Sequence, residues 1–416
     1  MKIMKKILFS IVAALGMVAC SSDDFTATIF TTDDSSLDKT SYTYPLDAYL
    51  QDNFLLPYNV KFIYRMEDVG TDMQKDLVPS DYEKVKELAV LCNYMWFDVY
   101  KTLAGEKEVF LKKYSPRIIH LTGTPSYNSD GTKTLGFATN GTKITLQAVN
   151  HLDYTQIEGH DGLNYIFFHT MHHEFTHILD QTVSHPQAFN LLSSGLYNND
   201  WPSTPDEIAV GNGFVTSYAS ANATEDWAET LSNYITMNQM DWEKMLDIAS
   251  YDWEQVDFRD QEQRDSLTRL SNTAYKNPTK YNTDSIGYSF QLGSGEYKWV
   301  RKVIVRDQVT GRPITDGNGG IQYVHEKAVN AVAMINQKVQ LTREWLKENF
   351  QLDLDDLRKE VQQRQYMTDA NGNFVTELDK DGNPVYVNRL TQPDPQQPTQ
   401  TLMQTLLKSI DAYADK

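Results

Sequence analysis

The hydrophobic pattern is clearest in residues 164–182, where apolar side chains recur at helical spacing. At about 100° per residue, one face collects the apolar side chains Phe167, Phe168, Met171, Phe175, Ile178 and Leu179. The opposite face carries His173 and His177, which lie within roughly 40° of each other. The pattern therefore predicts a helix from Asn164 to about Thr182 that buries one face and leaves its histidines available.

Shorter patterns before this helix predict a small mixed sheet. Apolar runs predict strands at Tyr58–Arg65 and Arg117–Leu121, and a longer periodic run predicts an amphipathic helix from Ser80 to Ala104. Residues Tyr127–Val149 hold turn signals between short apolar runs, which predicts a meander of hairpins ending in the alternating strand Lys143–Val149. Together with the helices, these strands predict an α+β fold.

The rest of the chain is predicted to be mainly helical. Helices are predicted at Asp241–Ser250, Gln261–Lys276, Tyr323–Phe350, Leu354–Tyr366 and Thr401–Tyr413. Ser184–Ser217 is predicted as a long loop, Tyr281–Gly320 as an insertion with strands around Trp299–Val305, and Gln392–Pro398 as a linker. We therefore predict one domain over residues 45–240 and a helical C-terminal lobe with insertion hairpins over residues 241–416.

Two short acidic segments, Asp369–Gly372 and Asp379–Asn383, flank the apolar pair Phe374-Val375. The second could begin a calcium loop, because its Asp-x-Asp-Gly pattern is rich in oxygen ligands. It lacks the closing glutamate at the required spacing, so hairpin turns are the favoured interpretation of both segments.

The helix over residues 164–182 carries candidate chemistry in the run from His173 to His177, which has the HExxH pattern of zinc-dependent hydrolases. Both imidazoles can face one tetrahedral cation, and Glu174 beside them can accept a proton from a metal-bound water. The alternative is a pair of solvated histidines. The apolar back of the helix argues against that alternative. His151, His160 and His172 are predicted not to be ligands.

A zinc hydrolase needs a third protein ligand and one open position. Asn222 and Thr224 supply N-cap chemistry for a helix that runs to about Met237. Glu225 and Glu229 share a face of that helix, so Glu225 can be the third ligand while Glu229 bonds a ligand histidine from behind. Alone, the pair would indicate a solvated face. Two residues beside the histidine pair, His169 and Asp180, are candidates for orienting an imidazole or for plain exposed polar positions.

The N-terminus has the three parts of a secretory signal: the lysines Lys2, Lys5 and Lys6, the apolar run Ile7–Val18, and Ala19 before Cys20. Met17–Cys20 resembles the lipobox of bacterial lipoproteins, in which Cys20 would be acylated to form a lipid anchor; the alternative is an ordinary cleaved signal. Residues 1–19 are thus a predicted signal peptide and residues 20–44 a flexible linker. The acidic residues Asp23 and Asp24 resemble a signal for export to the cell surface.

The net charge limits the classes of partner that we expect, and the cysteine count limits disulfide formation. The formal charge is −18, and removing the three lysines of the signal leaves −21. So acidic a chain is not expected to bind nucleic acid or anionic lipid. With Cys20 acylated, Cys92 has no partner for a disulfide, so it is predicted to be an inert core thiol.

The run from His173 to His177, followed by Tyr218 and by Glu225-Asp226-Trp227-Ala228-Glu229, resembles the gluzincin clan, in particular the catalytic domain of anthrax lethal factor. The lipoprotein form resembles the substrate import-associated zinc metallohydrolase lipoproteins, which are found beside outer-membrane nutrient importers. The resemblance is close over Asn164–Met237, the part of the chain that holds these motifs. The resemblance implies a zincin-like domain whose edge strand lies beside the cleft, zinc on His173, His177 and Glu225, Glu174 as base and Tyr218 as oxyanion donor. Asp226-Trp227 is bulkier and more acidic than is usual at these two positions.

The resulting hypothesis is a zinc metallopeptidase that cleaves a peptide or protein substrate. It would be an outer-membrane lipoprotein, exposed at the cell surface and linked to a nutrient importer. The alternative is a non-catalytic partner of such an importer that retains the zincin fold. The intact Glu174 favours an enzyme, because a binding module has no need of a base. Hydrolysis of an amide or ester other than a peptide stays open as a further alternative.

Overall fold

A computed structural model describes residues 37–65, 77–104, 109–127, 133–139, 142–250, 252–257, 297–302 and 329–414. Its α-helices are Tyr44–Leu50, Leu56–Tyr58, Tyr82–Cys92, Asp98–Ala104, Val109–Tyr114, His169–Thr182, Gln187–Leu192, Asp206–Gly211, Ala223–Thr236, Gln239–Ala249, Ala331–Phe350, Leu354–Gln365 and Leu402–Asp411. Its strands are Lys61–Ile63 (β1), Ile118–Leu121 (β2), Ser126–Tyr127 (β3), Lys133–Thr134 (β4), Gly136–Thr139 (β5), Lys143–Leu146 (β6), Asp252–Asp257 (β7), Tyr297–Lys302 (β8), Thr376–Leu378 (β9), Pro384–Tyr386 (β10), Pro393–Asp394 (β11) and Gln397–Thr401 (β12).

The chain divides into two units, Met1–Tyr44 and Pro45–Lys416. In the first, the described residues include a turn in which Thr40 donates to Asp38 through its backbone nitrogen and its hydroxyl. The second is compact, and the boundary predicted at residues 240/241 stays a prediction. The signal peptide with Cys20, the helix Gln261–Lys276 and most of the insertion lie outside the described residues. No helix in the described part of the chain has the length and apolar character to cross a bilayer.

The predicted mixed sheet is confirmed, with strand order β1-β2-β6-β5. β1 pairs parallel with β2 and β2 with β6, whereas β5 pairs antiparallel with β6 and forms an edge. The first strand is shorter than predicted, because Tyr58 ends a helix and Asn59 takes a left-handed conformation with φ 58°. Asparagine tolerates that conformation, so β1 begins only at Lys61.

The helix predicted at Ser80–Ala104 is confirmed, and it buries the apolar back of the helix His169–Thr182, hereafter the HExxH helix. It begins after Asp81, whose carboxylate accepts from two backbone amides, and it contains a wider π-helical turn at Asn93–Phe97. Trp96 and Tyr100 meet the ring of Phe175 edge to face, with centroids 5.7 and 5.2 Å apart. Cys92 is fully buried with a free thiol, as predicted for a core position.

On its other sides the HExxH helix packs against β5, β6 and the helix Ala223–Thr236, hereafter the glutamate helix. The approach of β5 is close: a Cβ placed on Gly136 would lie 2.3 Å from Thr170 Cγ2 of the HExxH helix. Glycine is therefore required where the edge strand meets this helix.

Two loop predictions are wrong. Ser184–Ser217 contains the helices Gln187–Leu192 and Asp206–Gly211, which begin directly after Pro186 and Pro205 and are anchored by buried side chains such as Phe189. Gln392–Pro398 is no free linker, because it forms most of a hairpin of β11 and β12. Asp394 shapes this hairpin, since its buried carboxylate accepts from the Gln396 amide at 2.9 Å.

The other C-terminal predictions agree with the structure. The helix predicted from Tyr323 is described from Ala331, with Asn330 as its N-cap, and ends at Phe350. β8 pairs with β7, a strand that the sequence analysis missed. Asp369 and Asp379 each accept two backbone amides of their own turns, so both acidic segments are turns, as favoured; the second joins β9 to β10.

Candidate metal centre

The HExxH helix and the glutamate helix bring three ligand atoms together. His173 Nε2 lies 3.0 Å from His177 Nε2 and 3.0 Å from Glu225 Oε2, and His177 Nε2 lies 3.3 Å from the same oxygen. The histidines meet because they lie one turn apart on one helix face. Glu225 is held in the first turn of its helix by Asn222, whose side chain accepts from the amides of Thr224 and Glu225.

These three atoms fit one zinc ion. Tetrahedral zinc with bonds of about 2.0–2.1 Å to nitrogen and oxygen separates its ligand atoms by about 3.3 Å. The observed separations of 3.0 to 3.3 Å are close to that value. Two imidazoles and one carboxylate are also a donor set that catalytic zinc sites use, with a fourth position left for water or substrate.

Glu229 supports this triad from behind. Its Oε1 lies 2.8 Å from His173 Nδ1 and 2.9 Å from His169 Nε2, and its Oε2 accepts from Thr216 Oγ1 at 2.6 Å and Asn233 Nδ2 at 3.2 Å. A buried carboxylate with four donors is fully satisfied. It holds the Nδ1 proton of His173 and thereby leaves the Nε2 lone pair for a metal.

The electrostatics of the triad favour a positive charge at its centre. Burial alone would lower the pKa of His173, yet hydrogen bonds to Glu225 and Glu229 outweigh it and raise that pKa to about 10. Burial would raise the pKa of Glu225, but hydrogen bonds from His173 and His177 lower it to about 2. Burial would likewise raise the pKa of Glu229, but the charges and hydrogen bonds of His169 and His173 outweigh it and hold that pKa well below its usual value. Both carboxylates are therefore ionised at neutral pH, and a cation stabilises them.

Glu174 and Tyr218 complete the site. Glu174 is buried, and its carboxylate is near enough to His173 and Tyr218 to raise the pKa of both. The Tyr218 ring stacks on His173, with centroids 5.8 Å apart, and contacts Trp201 at 4.7 Å. Burial and the hydrogen bond to Glu225 raise the Tyr218 pKa above its usual range, so its hydroxyl is a neutral donor at pH 7.

Residues 39–355 match the model of a protein family described as "Putative zinc-binding metallo-peptidase". The chain belongs to this family. The chain is also similar to the crystal structure of a "putative zinc-binding metallo-peptidase" from Bacteroides caccae ATCC 43185, with a TM-score of 0.51 and 25% sequence identity over 81% of this chain and 95% of that chain. A search of curated proteins finds no match.

Membership of this metallopeptidase family confirms three predictions at a coarse level: the mixed helix-and-sheet fold, zinc as cofactor, and a zinc hydrolase as the class of protein. It does not extend to the finer predictions. The lethal-factor likeness, the lipid anchor and the link to nutrient import stay predictions.

Within the described residues of this family member, two groups could hold a metal: His173, His177 and Glu225, and the overlapping set His169, His173 and Glu229. The second set is better explained as support, since one oxygen of Glu229 serves both imidazoles. His169 contacts Glu229 instead of a ligand imidazole, so its role in orienting an imidazole stays a prediction. Among the predicted non-ligands, His172 is buried and bonds Tyr100, away from the triad.

Asp180 is not brought to the triad, contrary to its candidate role. Its Oδ1 lies 2.8 Å from His185 Nδ1 and accepts from the His185 backbone amide at 2.6 Å. His185 lies three residues beyond the end of the HExxH helix, and its contacts with Asp180 occupy that carboxylate. Sequence reasoning also missed Thr216 and Asn233. Asn233 lies four residues after Glu229 on one helix, and that spacing could have indicated it.

Proposed function

We propose that this chain is a zinc-dependent peptidase in which His173, His177 and Glu225 hold the metal. The convergence of their ligand atoms within 3.0 to 3.3 Å, with the Glu174 carboxylate beside them, carries this proposal. Zinc bound by such a donor set lowers the pKa of a coordinated water toward about 7 and polarises a carbonyl oxygen.

The chain's own residues then act on the substrate. Glu174 accepts a proton from water as the water oxygen attacks the peptide carbonyl carbon, and it returns the proton to the leaving nitrogen as the C–N bond breaks. Tyr218 donates its hydroxyl proton in a hydrogen bond to the developing oxyanion. Its raised pKa suits that role, because the phenol keeps its proton at neutral pH.

An extended peptide is the substrate form that this geometry favours. Within the described residues β5 is an edge strand of the four-stranded sheet, and it packs against the helix that carries His173 and His177. A peptide that pairs with such an edge gains backbone hydrogen bonds and presents one bond to the catalytic groups.

We also propose that the protein is an outer-membrane lipoprotein anchored through Cys20 and exposed at the cell surface, where its products would supply a nutrient importer. The lipobox-like Met17–Cys20 and the acidic residues after it support this location. A non-catalytic partner of an importer is the alternative. It leaves unexplained why Glu174, which is buried, and Tyr218, which is half-buried, lie beside the proposed ligands.

The decisive experiment compares wild type with Glu174→Gln on an unbiased peptide library, with zinc content measured in the same samples. Glu174→Gln keeps the shape of the side chain but removes the proton acceptor, so turnover is expected to fall about 100-fold or more at full zinc content. Glu243→Gln, an exposed position elsewhere, is the matched control. Activity that survives in Glu174→Gln, or a wild type that binds zinc but cleaves nothing, would refute the mechanism.

A further inference from the structure

The C-terminal part of the chain sends one charged side chain into the core behind the metal triad. Lys338 lies on the helix Ala331–Phe350, and its Nζ lies 2.6 Å from Asp226 Oδ2 and 2.8 Å from Asp226 Oδ1. Both side chains are 0% exposed. A buried lysine needs such a partner, because an unpaired ammonium would be costly there.

Asp226 directly follows the proposed ligand Glu225 in the glutamate helix and points about 100° away from it around the axis. Its carboxylate also accepts from Ser193 Oγ at 3.0 Å and Tyr197 OH at 3.3 Å. Rotation or sliding of the first helical turn would break these contacts. The orientation of Glu225 is therefore coupled to the contacts of Asp226.

The ammonium of Lys338 also contacts a second segment, Gly213–Tyr218. Lys338 Nζ donates to the Gly213 carbonyl at 2.8 Å and lies 4.3 Å from the centre of the Phe214 ring. This segment includes Thr216, which donates to Glu229, and Tyr218. Gly213 itself has φ 90°, and a Cβ there would meet Met334 on the lysine's own helix at 2.4 Å. The segment is thus packed tightly against the helix Ala331–Phe350.

Trp227 adds a second contact between the glutamate helix and the helix Ala331–Phe350. It is fully buried, meets Trp345 edge to face at 5.1 Å and stacks on His185 at 5.0 Å. Asp226 and Trp227 contact the C-terminal part of the chain and so join the glutamate helix to it. They are also the two residues that are bulkier and more acidic than is usual in the motif.

We propose that Lys338 is a positioning residue of the zinc site, whose ammonium holds in register the segments that carry Glu225 and Tyr218. The inference rests on the proposed function, since Glu225 must be a ligand. It gives the C-terminal helices a role in the chemistry: they set the geometry of the third ligand and of the oxyanion donor.

The test is the zinc affinity of Lys338→Met, measured by competition with a chromogenic chelator, in the wild-type and the Glu225→Ala backgrounds. Supporting residues of metal ligands typically contribute about 10–100-fold in affinity, so Lys338→Met is expected to lose about 10-fold or more in the wild-type background. In Glu225→Ala the further loss is expected to be under about threefold, because the coupled ligand is already absent. Lys347→Met, an exposed position on the same helix, is the control.

A merely structural lysine gives a different pattern. It would weaken zinc binding equally in both backgrounds, or leave it unchanged while lowering stability, and either result overturns the inference. Asp226→Asn combined with Lys338→Met removes both charges at nearly constant shape, which covers the case that the single variant does not fold. Wild-type affinity in that folded double variant would also overturn it.

Zinc affinities distinguish a failure of the ligand assignment from a failure of the positioning role of Lys338. If Glu225→Ala binds zinc as tightly as wild type, the ligand assignment of the proposed function fails. If zinc affinity depends on Glu225 but not on Lys338, only the positioning inference fails. A peptide assay adds a second readout: Lys338→Met is expected to lower kcat more than it changes KM, because Tyr218 acts on the transition state.

Discussion

Replacing Glu229 with Gln tests whether the triad depends on its buried support. The amide has almost the same shape but only one acceptor oxygen, whereas Glu229 accepts two donors at each oxygen. Whichever way the amide turns, its NH2 group faces two donors. Two hydrogen bonds are lost, one from a buried donor (His173 or Asn233) and one from a partly exposed donor (His169 or Thr216).

The magnitude follows from that count. A buried donor left without an acceptor costs about 1–3 kcal/mol, and losing the hydrogen bond of a partly exposed donor costs about 0.5–1.5 kcal/mol. The metal-free variant is therefore expected to lose about 1.5–4.5 kcal/mol of unfolding free energy. Zinc affinity is expected to fall about 10–100-fold, because His173 loses the acceptor that fixes its Nδ1 proton.

Glu225→Gln is the matched comparison, because it alters a ligand instead of a support. The partly exposed Glu225 has fewer buried contacts, so the metal-free Glu225 variant is expected to lose less stability and more zinc affinity than Glu229→Gln. Urea denaturation in the presence of chelator and chelator competition measure the two quantities. If both variants lose equal stability and equal affinity, the division into ligand and support is wrong.

Three further predictions concern a titration, a packing contact and membrane attachment. In the metal-free protein the pKa of His173 is raised to about 10, so protonated His173 contributes fully to the free energy of unfolding below about pH 6.5. This contribution is lost as the pH rises through about 10. Urea denaturation from about pH 7 to 10 should therefore show a steeper fall in unfolding free energy for wild type than for His173→Gln. Gly136→Ala places a methyl group 2.3 Å from Thr170 Cγ2 and 2.9 Å from the Thr145 backbone oxygen, and it should cost about 1–3 kcal/mol of unfolding free energy. Adding Thr170→Ser should recover part of that loss in the same denaturation assay, and no recovery would show that the contact with Thr170 is not its cause. Cys20→Ala should move the protein from the membrane fraction to the soluble fraction, whereas retention through detergent-free washing would place the anchor elsewhere.

Local features of the chain were predictable because they depend on neighbours within a few residues. The spacing of apolar positions from Phe167 to Leu179 decides which face of this helical segment packs into the hydrophobic core, whereas the burial of His173 on the other face depends on contacts with the glutamate helix. Asn222 was identifiable as a cap because its side chain bonds amides two and three positions ahead. The turn at Asp379 was predictable for the same reason.

The family likeness and helix spacing also led to Glu225 and Glu229, but neither could show their contacts. Glu229 meets His173 across 56 residues of sequence, and Thr216 joins it from a loop without regular structure. Asp180 illustrates the limit: it lies on the predicted helix, yet its partner is His185, which follows the end of that helix.

The sequence by itself determined that one amphipathic helix presents an HExxH motif beside a small mixed sheet, since helical period, turn residues and caps act over one or two turns. Only the tertiary structure decided how that motif is completed and held. Lys338 meets Asp226 across 112 residues, and nothing in the local pattern around either residue indicates the other. Their pairing is decided by burial: once helix packing excludes water, the two charges must meet each other, and the helix Ala331–Phe350 is thereby joined to the helix that carries Glu225.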